Sequence, residues 1–448
     1  MNPSKLLPTA LLAAAAFLVV SQVEIGAQTG STTSSVGQPN IIFVLADDQG
    51  WNGTSVQMHP DVPGSKSDFY RTPNLEKLAA RGMRFSQAYS PGPMCSPTRA
   101  SLQTGKSPAQ LRMTNVGGSR QGRPETPSQK LILPPHSSIL STEEVTVGEM
   151  LKRNGYATAW FGKWHLGGDG PAAHGYDQSD GPTGNADGNT DDPSNPKDIF
   201  GITERGIAFM ERSVAADRPF YLQLWHYAVH GPVQTNPETE KAYADRSAGQ
   251  VHQSTSYAGM TEDLDVGVGM IMEKVEELGI AGQTYVIYMS DHGAGRNLSS
   301  NAPLNHGKGT LWEGGLRVPL IVSWPGIDQP GRYSNALVDV VDVFPTVAEL
   351  LERDPGDVDG VSFLPVLEDA SVGIAEHARQ TNRAERFQSN GNADEATVLH
   401  NFGFSMRLPD GRRFKLVRHT DFVFGTIHDE FYQRTDELDD PVDRFELS

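Results

Sequence analysis

Residues 40–46 (NIIFVLA) form an unbroken apolar run closed by two carboxylates, Asp47 and Asp48. A run without polar alternation predicts a central parallel strand buried on both faces, and ligands of open α/β sheets collect at the carboxyl ends of such strands. Thr72-Pro73 then leads an amphipathic stretch into Gly82, which gives a helix with a capping threonine, a first-turn proline and a glycine stop. Residues 83–89 follow as a strand. The alternation continues with a helix over 147–153 and a strand over 156–161, then a helix over 202–214 and a strand over 220–227. A long helix over about 256–278 feeds a strand at 284–290. Repeated helix-then-strand units predict an α/β fold, a mostly parallel central sheet between helices, spanning residues 39–353.

Beyond that point the pattern changes. Residues 397–407 and 413–418 flank Pro409-Asp410-Gly411 and read as a β-hairpin, so 354–448 is expected to be a small C-terminal antiparallel α+β subdomain. The stretches 111–144, 167–197 and 380–396 carry no element signal and read as long loops that either contact substrate or move. Four Asp fall within 180–192, but their spacing is not that of a calcium-binding helix-loop-helix. At the other end, Lys5 precedes an apolar run too short for a span of ~20 residues, and small residues follow to Ala27. Residues 1–27 therefore read as a signal peptide and 28–38 as a linker. The expectation is an exported protein, periplasmic or secreted, without stable membrane insertion.

Charge narrows the partners. With 37 Lys plus Arg against 55 Asp plus Glu, the net charge of −18 argues against a nucleic acid held by phosphate contacts, and any site for a polyanion must be local. The chain has one cysteine, Cys95, so no intramolecular disulfide can form. A lone thiol in an exported protein is either buried and inert or kept for its chemistry.

The stretch Cys95-Ser96-Pro97-Thr98-Arg99, followed by Leu102-Gln103-Thr104-Gly105, resembles the signature of the type I, formylglycine-dependent sulfatases of the alkaline-phosphatase superfamily. The resemblance covers about residues 39–353 and implies an alkaline-phosphatase-like sheet. It implies that a formylglycine-generating enzyme oxidises Cys95 during export, and that the hydrated aldehyde attacks sulfur with one hydroxyl and expels sulfate with the other. Asp47, Asp48, Asp291 and His292, together with residue 95, match the family's metal ligands, and three carboxylates suit one Ca2+ per chain. The family's commonest pattern has Asn where His292 stands, and a nitrogen donor is softer. Lys163 and His165, alternate residues of Gly162-Lys-Trp-His-Leu-Gly167, match groups that hold sulfate and take a proton, while His230 and Lys308 match those that hold sulfate and protonate the departing alkoxide. Arg99 would offer its fork to the same anion, beside a helix that Pro97 helps to start.

Other conspicuous residues have plainer readings. His226, Trp164 and Trp312 read as core, and Arg317 reads as an anchor for its glycine-rich loop. The substrate expected from the resemblance is a sulfated carbohydrate, with an aryl sulfate as a surrogate. Two rivals accompany it: a formylglycine-dependent phosphonate or phosphate ester hydrolase, and a non-catalytic glycan-binding protein should Cys95 stay unmodified.

Overall fold

The structure, a computed structural model, describes residues 38–116, 136–327 and 329–368, and the backbone of 402–407 and 413–418. The expected signal segment, most of the linker and the 380–396 loop lie outside the described residues. Eight strands form one sheet: β1 (Asn40–Ala46), β2 (Met83–Tyr89), β3 (Ala157–Gly162), β4 (Gln178–Ser179), β5 (Phe220–Trp225), β6 (Thr284–Ser290), β7 (Leu320–Ser323) and β8 (Arg332–Asp339). Their order is β4-β3-β5-β1-β6-β7-β2-β8. All pairings are parallel except those of β7 with β6 and β2, so β7 alone is reversed.

The helices are α1 (Pro73–Arg81), α2 (Cys95–Thr104), α3 (Val147–Arg153), α4 (Ile199–Ala215), α5 (Pro237–Ala244), α6 (Thr255–Glu277), α7 (Glu313–Leu316), α8 (Val343–Leu350) and α9 (Leu364–Glu368). The strand β1 explains why they divide into two layers. Its Ile42 and Val44 join one apolar cluster with Leu75 of α1, Ile202 of α4 and Leu264 and Val268 of α6. Its Ile41, Phe43 and Leu45 join another with Leu102 of α2, Leu151 of α3 and Phe344 of α8. Alternate residues serve opposite cores, so an apolar residue is needed at every position; each fully buried side chain of this size contributes about 1.5–3 kcal/mol. A separate antiparallel pair, β9 (Phe402–Arg407) and β10 (Arg413–Arg418), sets Arg407 opposite Arg413.

One helix start differs from expectation. Thr72 occupies the cap position of α1, but its hydroxyl is engaged with Ser55 and does not cap the helix. The first-turn amides of Asn74 and Leu75 instead donate to the Asp265 carboxylate of α6, at 3.0 and 2.7 Å. A carboxylate from a packed neighbour satisfies the same orphan donors and favours the positive end of the helix dipole.

Candidate active site

Three strand ends and one helix start converge. Asp47 and Asp48 follow β1, Asp291 and His292 follow β6, Lys163 follows β3, and Cys95 opens α2. Two glycines make the approach feasible. Gly162 has φ 104° and lies so close to Trp225 that a Cβ would come within 2.0 Å of its carbonyl oxygen. Gly105 ends α2 at φ 70°, donating to the Ser101 carbonyl as a left-handed stop.

Cys95 Sγ sits at the focus. It lies 3.3 Å from His292 Nε2, 3.4 Å from Lys163 Nζ, 3.7 Å from Asp47 Oδ1 and 3.8 Å from Lys308 Nζ. Burial opposes the thiolate, but the cations of Lys163 and Lys308 outweigh it and bring the thiol down to about 6. Composition alone left open whether the thiol is buried or kept for its chemistry, and the motif favoured the second; the side chain is also fully buried.

The carboxylates beneath it are shared among cations. Lys163 Nζ donates to Asp47 Oδ2 at 2.5 Å, and Lys308 Nζ reaches both oxygens of Asp48 at 2.8 Å. Arg99, fully buried, donates to Asp291 Oδ2 through Nε and Nη2 at 3.2 and 3.0 Å and to the Lys163 carbonyl through Nη1 at 2.8 Å. Its Nη2 also lies 3.2 Å from Asp47 Oδ1, and its plane covers the Trp225 ring at 4.9 Å. Here the fork expected to meet an incoming anion fixes two of the expected ligand carboxylates. Despite its burial, Asp47 is held well below the usual carboxylate range by Lys163 and Arg99. Burial and the neighbouring Asp47 charge push Asp291 up to about 6.

Whether these residues suit a metal ion can be judged from His292. Its Nδ1 faces the Gly293 carbonyl at 3.0 Å, which turns Nε2 toward Asp48 Oδ1 at 3.4 Å and Asp291 Oδ1 at 3.7 Å. Against its burial, the charges of Asp291, Cys95 and Asp48 raise this imidazole to about 9, so the field at Nε2 calls for positive charge. Asp47, Cys95, Asp291 and His292 each bring a ligand atom within 4.8 Å of the others. Carboxylate oxygens plus one imidazole nitrogen fit a divalent cation.

Two further expected residues flank this floor. His165 has φ 55°, so the segment after Lys163 bends rather than continuing extended, and its ring nitrogen Nδ1 is buried without a hydrogen-bond partner. Burial and the charges of Lys163 and Arg99 press this imidazole down to about 4, which keeps it neutral and able to accept a proton. His230 lies at the rim, its Nε2 3.9 Å from Asp48 Oδ2, with a fifth of its side chain exposed. His226 is buried in the strand end as expected, and Arg317 anchors its loop through donation to the Ser86 carbonyl at 2.9 Å.

Lys197 escaped the sequence reading. It is fully buried on the loop before α4, at φ 53°, with Asn189 Oδ1 as its hydrogen-bond acceptor at 2.8 Å and no carboxylate within ion-pair distance among the described residues. Burial pushes its ammonium down to about 8, and Asp47, Asp48 and Lys163 lie within electrostatic reach. The loop carries no periodicity, so only the fold reveals that this lysine faces the site's charges.

Carboxylates, cations and a buried thiol at a helix start thus gather at the carboxyl ends of the strands, where open α/β sheets collect their ligands. Residues 39–352 match the Sulfatase family model, and the chain belongs to that family, whose members depend on formylglycine and a bound metal. It is 31% identical over 367 residues to N-acetylgalactosamine-6-sulfatase of Canis lupus familiaris, covering 73% of this chain and 66% of that protein. It is 30% identical over 388 residues to arylsulfatase A of Homo sapiens, covering 77% and 69%. The chain thus spans about two thirds of the length of these curated relatives. The solved structure of Ps i-CgsB superposes with a TM-score of 0.63 at 25% identity, over 74% of this chain and 76% of that one.

Proposed function

We propose that this protein hydrolyses sulfate esters of carbohydrates, with residue 95 as nucleophile. The observation that carries the reading is the convergence on Cys95 Sγ of Lys163, Lys308, His292 and Asp47, all within 3.8 Å. A relative named for a sulfated amino sugar supports the carbohydrate class. Oxidised to formylglycine, residue 95 supplies a hydrated aldehyde that serves as nucleophile and then releases sulfate. Asp47, Asp48, Asp291 and His292 would hold the metal ion, for which the oxygen-rich donor set favours calcium, and the ion would supply positive charge beside the sulfate oxygens.

The chain's own groups divide the remaining work. Lys163 and Lys308 supply ammonium donors to sulfate oxygens, each contributing ~3 kcal/mol in a dry site. Neutral His165 takes the proton whose removal drives sulfate release. On the opposite side, His230 and Lys308 protonate the departing sugar alkoxide. Arg99 positions Asp47 and Asp291 without needing to touch substrate. Export to the periplasm or beyond fits a substrate too large and charged to import, and no helix among the described residues is long and apolar enough to cross a membrane.

The test has two parts. Mass analysis of the peptide holding residue 95 should show a loss of ~18 Da on conversion of thiol to aldehyde. The converted protein should then release inorganic sulfate from a sulfated glycan and from an aryl sulfate. An unconverted Cys95 would support the glycan-binding rival, while turnover of phosphonate monoesters in preference to sulfates would support the other.

A further inference from the structure

The segment between Asp291 and Lys308 does more than deliver Lys308. Together with Tyr70, His252 and Ser254, its residues wall a cavity of about 460 Å³ that the proposed reaction does not use. That volume falls within the roughly 300–1,000 Å³ typical of small-molecule sites. The lining is rich in amide and hydroxyl groups, including Gln253, Asn297 and Ser300, as sugar recognition requires.

Three links tie this cavity to the catalytic floor. The Tyr70 hydroxyl meets Ser299 Oγ at 3.0 Å, the Tyr70 ring packs on Tyr257 at 5.5 Å, and the Tyr257 hydroxyl donates to the Asp48 carbonyl at 3.3 Å. Gly231, next to His230, backs onto the Leu298 side chain, where an added Cβ would lie 3.3 Å from Cδ1. The Lys308 amide donates to the Ala294 carbonyl at 3.0 Å, and the stem of Arg296 lies over Gly307, 3.1 Å from where a Cβ would stand. Residues that wall the cavity therefore pack against the backbone segments that carry His230 and Lys308, the groups assigned to the leaving alkoxide.

Arg296 is the charged group on this wall. It is exposed, and it forms no ion pair among the described residues, whereas Arg71, Arg99 and Arg205 are each held by carboxylates. In a chain of net charge −18, an unneutralised guanidinium whose stem lies over Gly307, the chain neighbour of Lys308, extends the local positive potential outward from the site. His306, stacked on Trp312 at 5.2 Å, lines the same cavity.

We propose that this cavity is a subsite for the saccharide on the leaving-group side of the ester, and that Arg296 pairs with a second anionic substituent of that glycan, a sulfate or a uronate carboxylate. The assignment deepens the sulfate-ester reading and rests on it for the identity of the leaving group. The planar fork matches either anion through two parallel hydrogen bonds.

Binding to the full-length Cys95→Ala protein, measured by calorimetry in calcium-containing buffer, tests the subsite without turnover. The probes are one oligosaccharide backbone bearing a single sulfate, two sulfates, or one sulfate and a uronate. Introducing Arg296→Gln should reduce the affinity ratio of two-anion to one-anion glycans about 10-fold in at least one arm, and the arm affected identifies the anion. Arg296→Lys should recover part of the ratio, and added salt should shrink it. Unchanged ratios in both arms, with melting temperatures confirming that the variant is folded, overturn the proposal. Arg296-dependent binding by a wild-type protein that releases no sulfate would sink the hydrolase reading and leave the subsite standing; sulfate release without Arg296-dependent binding would do the reverse.

Discussion

The floor of the site and its rim are built on different physical terms. Arg99, Lys163, Asp47, Asp291 and His292 have side chains at most 1% exposed and stand on strand ends or a buried helix. At the rim, His230 is 20% and Lys308 14% exposed, both on loops. Packed elements hold the floor so that charges of both signs can share a small volume, and each ion there is costly to leave unpaired. The rim retains solvent contact, which suits the proposed exchange of a proton with a changing leaving group. Floor substitutions should therefore cost chemistry and metal affinity together, whereas rim substitutions should cost rate in a way that depends on the substrate.

The largest effect tests the centre of the floor. Cys95→Ala should lower turnover by at least ~10⁴-fold, and Cys95→Ser nearly as much, because neither can supply the hydrated aldehyde. Both variants should keep a cooperative melt. Turnover by the alanine variant within ten-fold of wild type would remove residue 95 from the chemistry.

Next comes the metal. Asp48→Asn removes charge where the carboxylate meets Lys308 at 2.8 Å and His292 at 3.4 Å. Wild-type protein stripped with a chelator should lose activity, and calcium at 100 times its Kd should restore it and stabilise the fold by about 2.7 kcal/mol. The variant should need much more calcium for either effect, with activity down ~100-fold at ordinary concentrations. A melting temperature indifferent to chelation and to calcium would show that the floor holds no such ion.

Across the site, His165 and His230 should fail differently. His165→Ala should give a burst of one phenolate per enzyme with an activated aryl sulfate and then slow turnover, since only the later half-reaction needs its base. In wild-type protein this group should stay active as pH falls below 6.5 and fail only toward its pKa of about 4, because the proton acceptor must be neutral. His230→Ala should show no burst and should slow sugar sulfates ~100-fold more than aryl sulfates, because a phenolate departs unaided and an alkoxide does not. Equal losses on both substrates for His230→Ala would erase the distinction between the two histidines.

How far the sequence discloses this arrangement follows the same division. The strands β1 and β6 are legible because burial on both faces forces unbroken apolar runs. By contrast, β7 is four residues long and β8 mixes buried and exposed positions in RYSNALVD at the sheet edge, so neither gives a periodic signal. Cys95, Arg99, Lys163 and Asp291 stand in recognisable motifs, yet a motif names residue types and not partners; the pairing of Arg99 with Asp47 and Asp291 joins residues far apart in sequence that only the fold brings together. Similarly, the Asp265 cap of α1 joins positions some 190 residues apart, whereas Thr72, the local candidate, bonds Ser55.

Lys197 crosses the division, since it is as buried as the floor yet carried by a loop. A buried ammonium with an amide as its hydrogen-bond acceptor lowers stability unless something else requires it, and consecutive left-handed residues, Lys197 at φ 53° and Asp198 at φ 52°, add backbone strain. Two accounts compete. If the lysine is there only to hold the loop through Asn189, then Lys197→Met should melt earlier and leave kinetics alone. If its charge serves the site, the apolar replacement should remove a desolvation cost, leave the melting temperature unchanged or higher, and weaken the positive potential that sulfate meets. We expect the second outcome: KM for sulfate esters up about 5–10-fold with kcat less affected, and a smaller effect as salt rises. The combination matters because it moves stability and function in opposite directions, which loss of packing alone does not do. A variant that is both less stable and kinetically normal would return Lys197 to the scaffold and leave the floor to its strand-end residues.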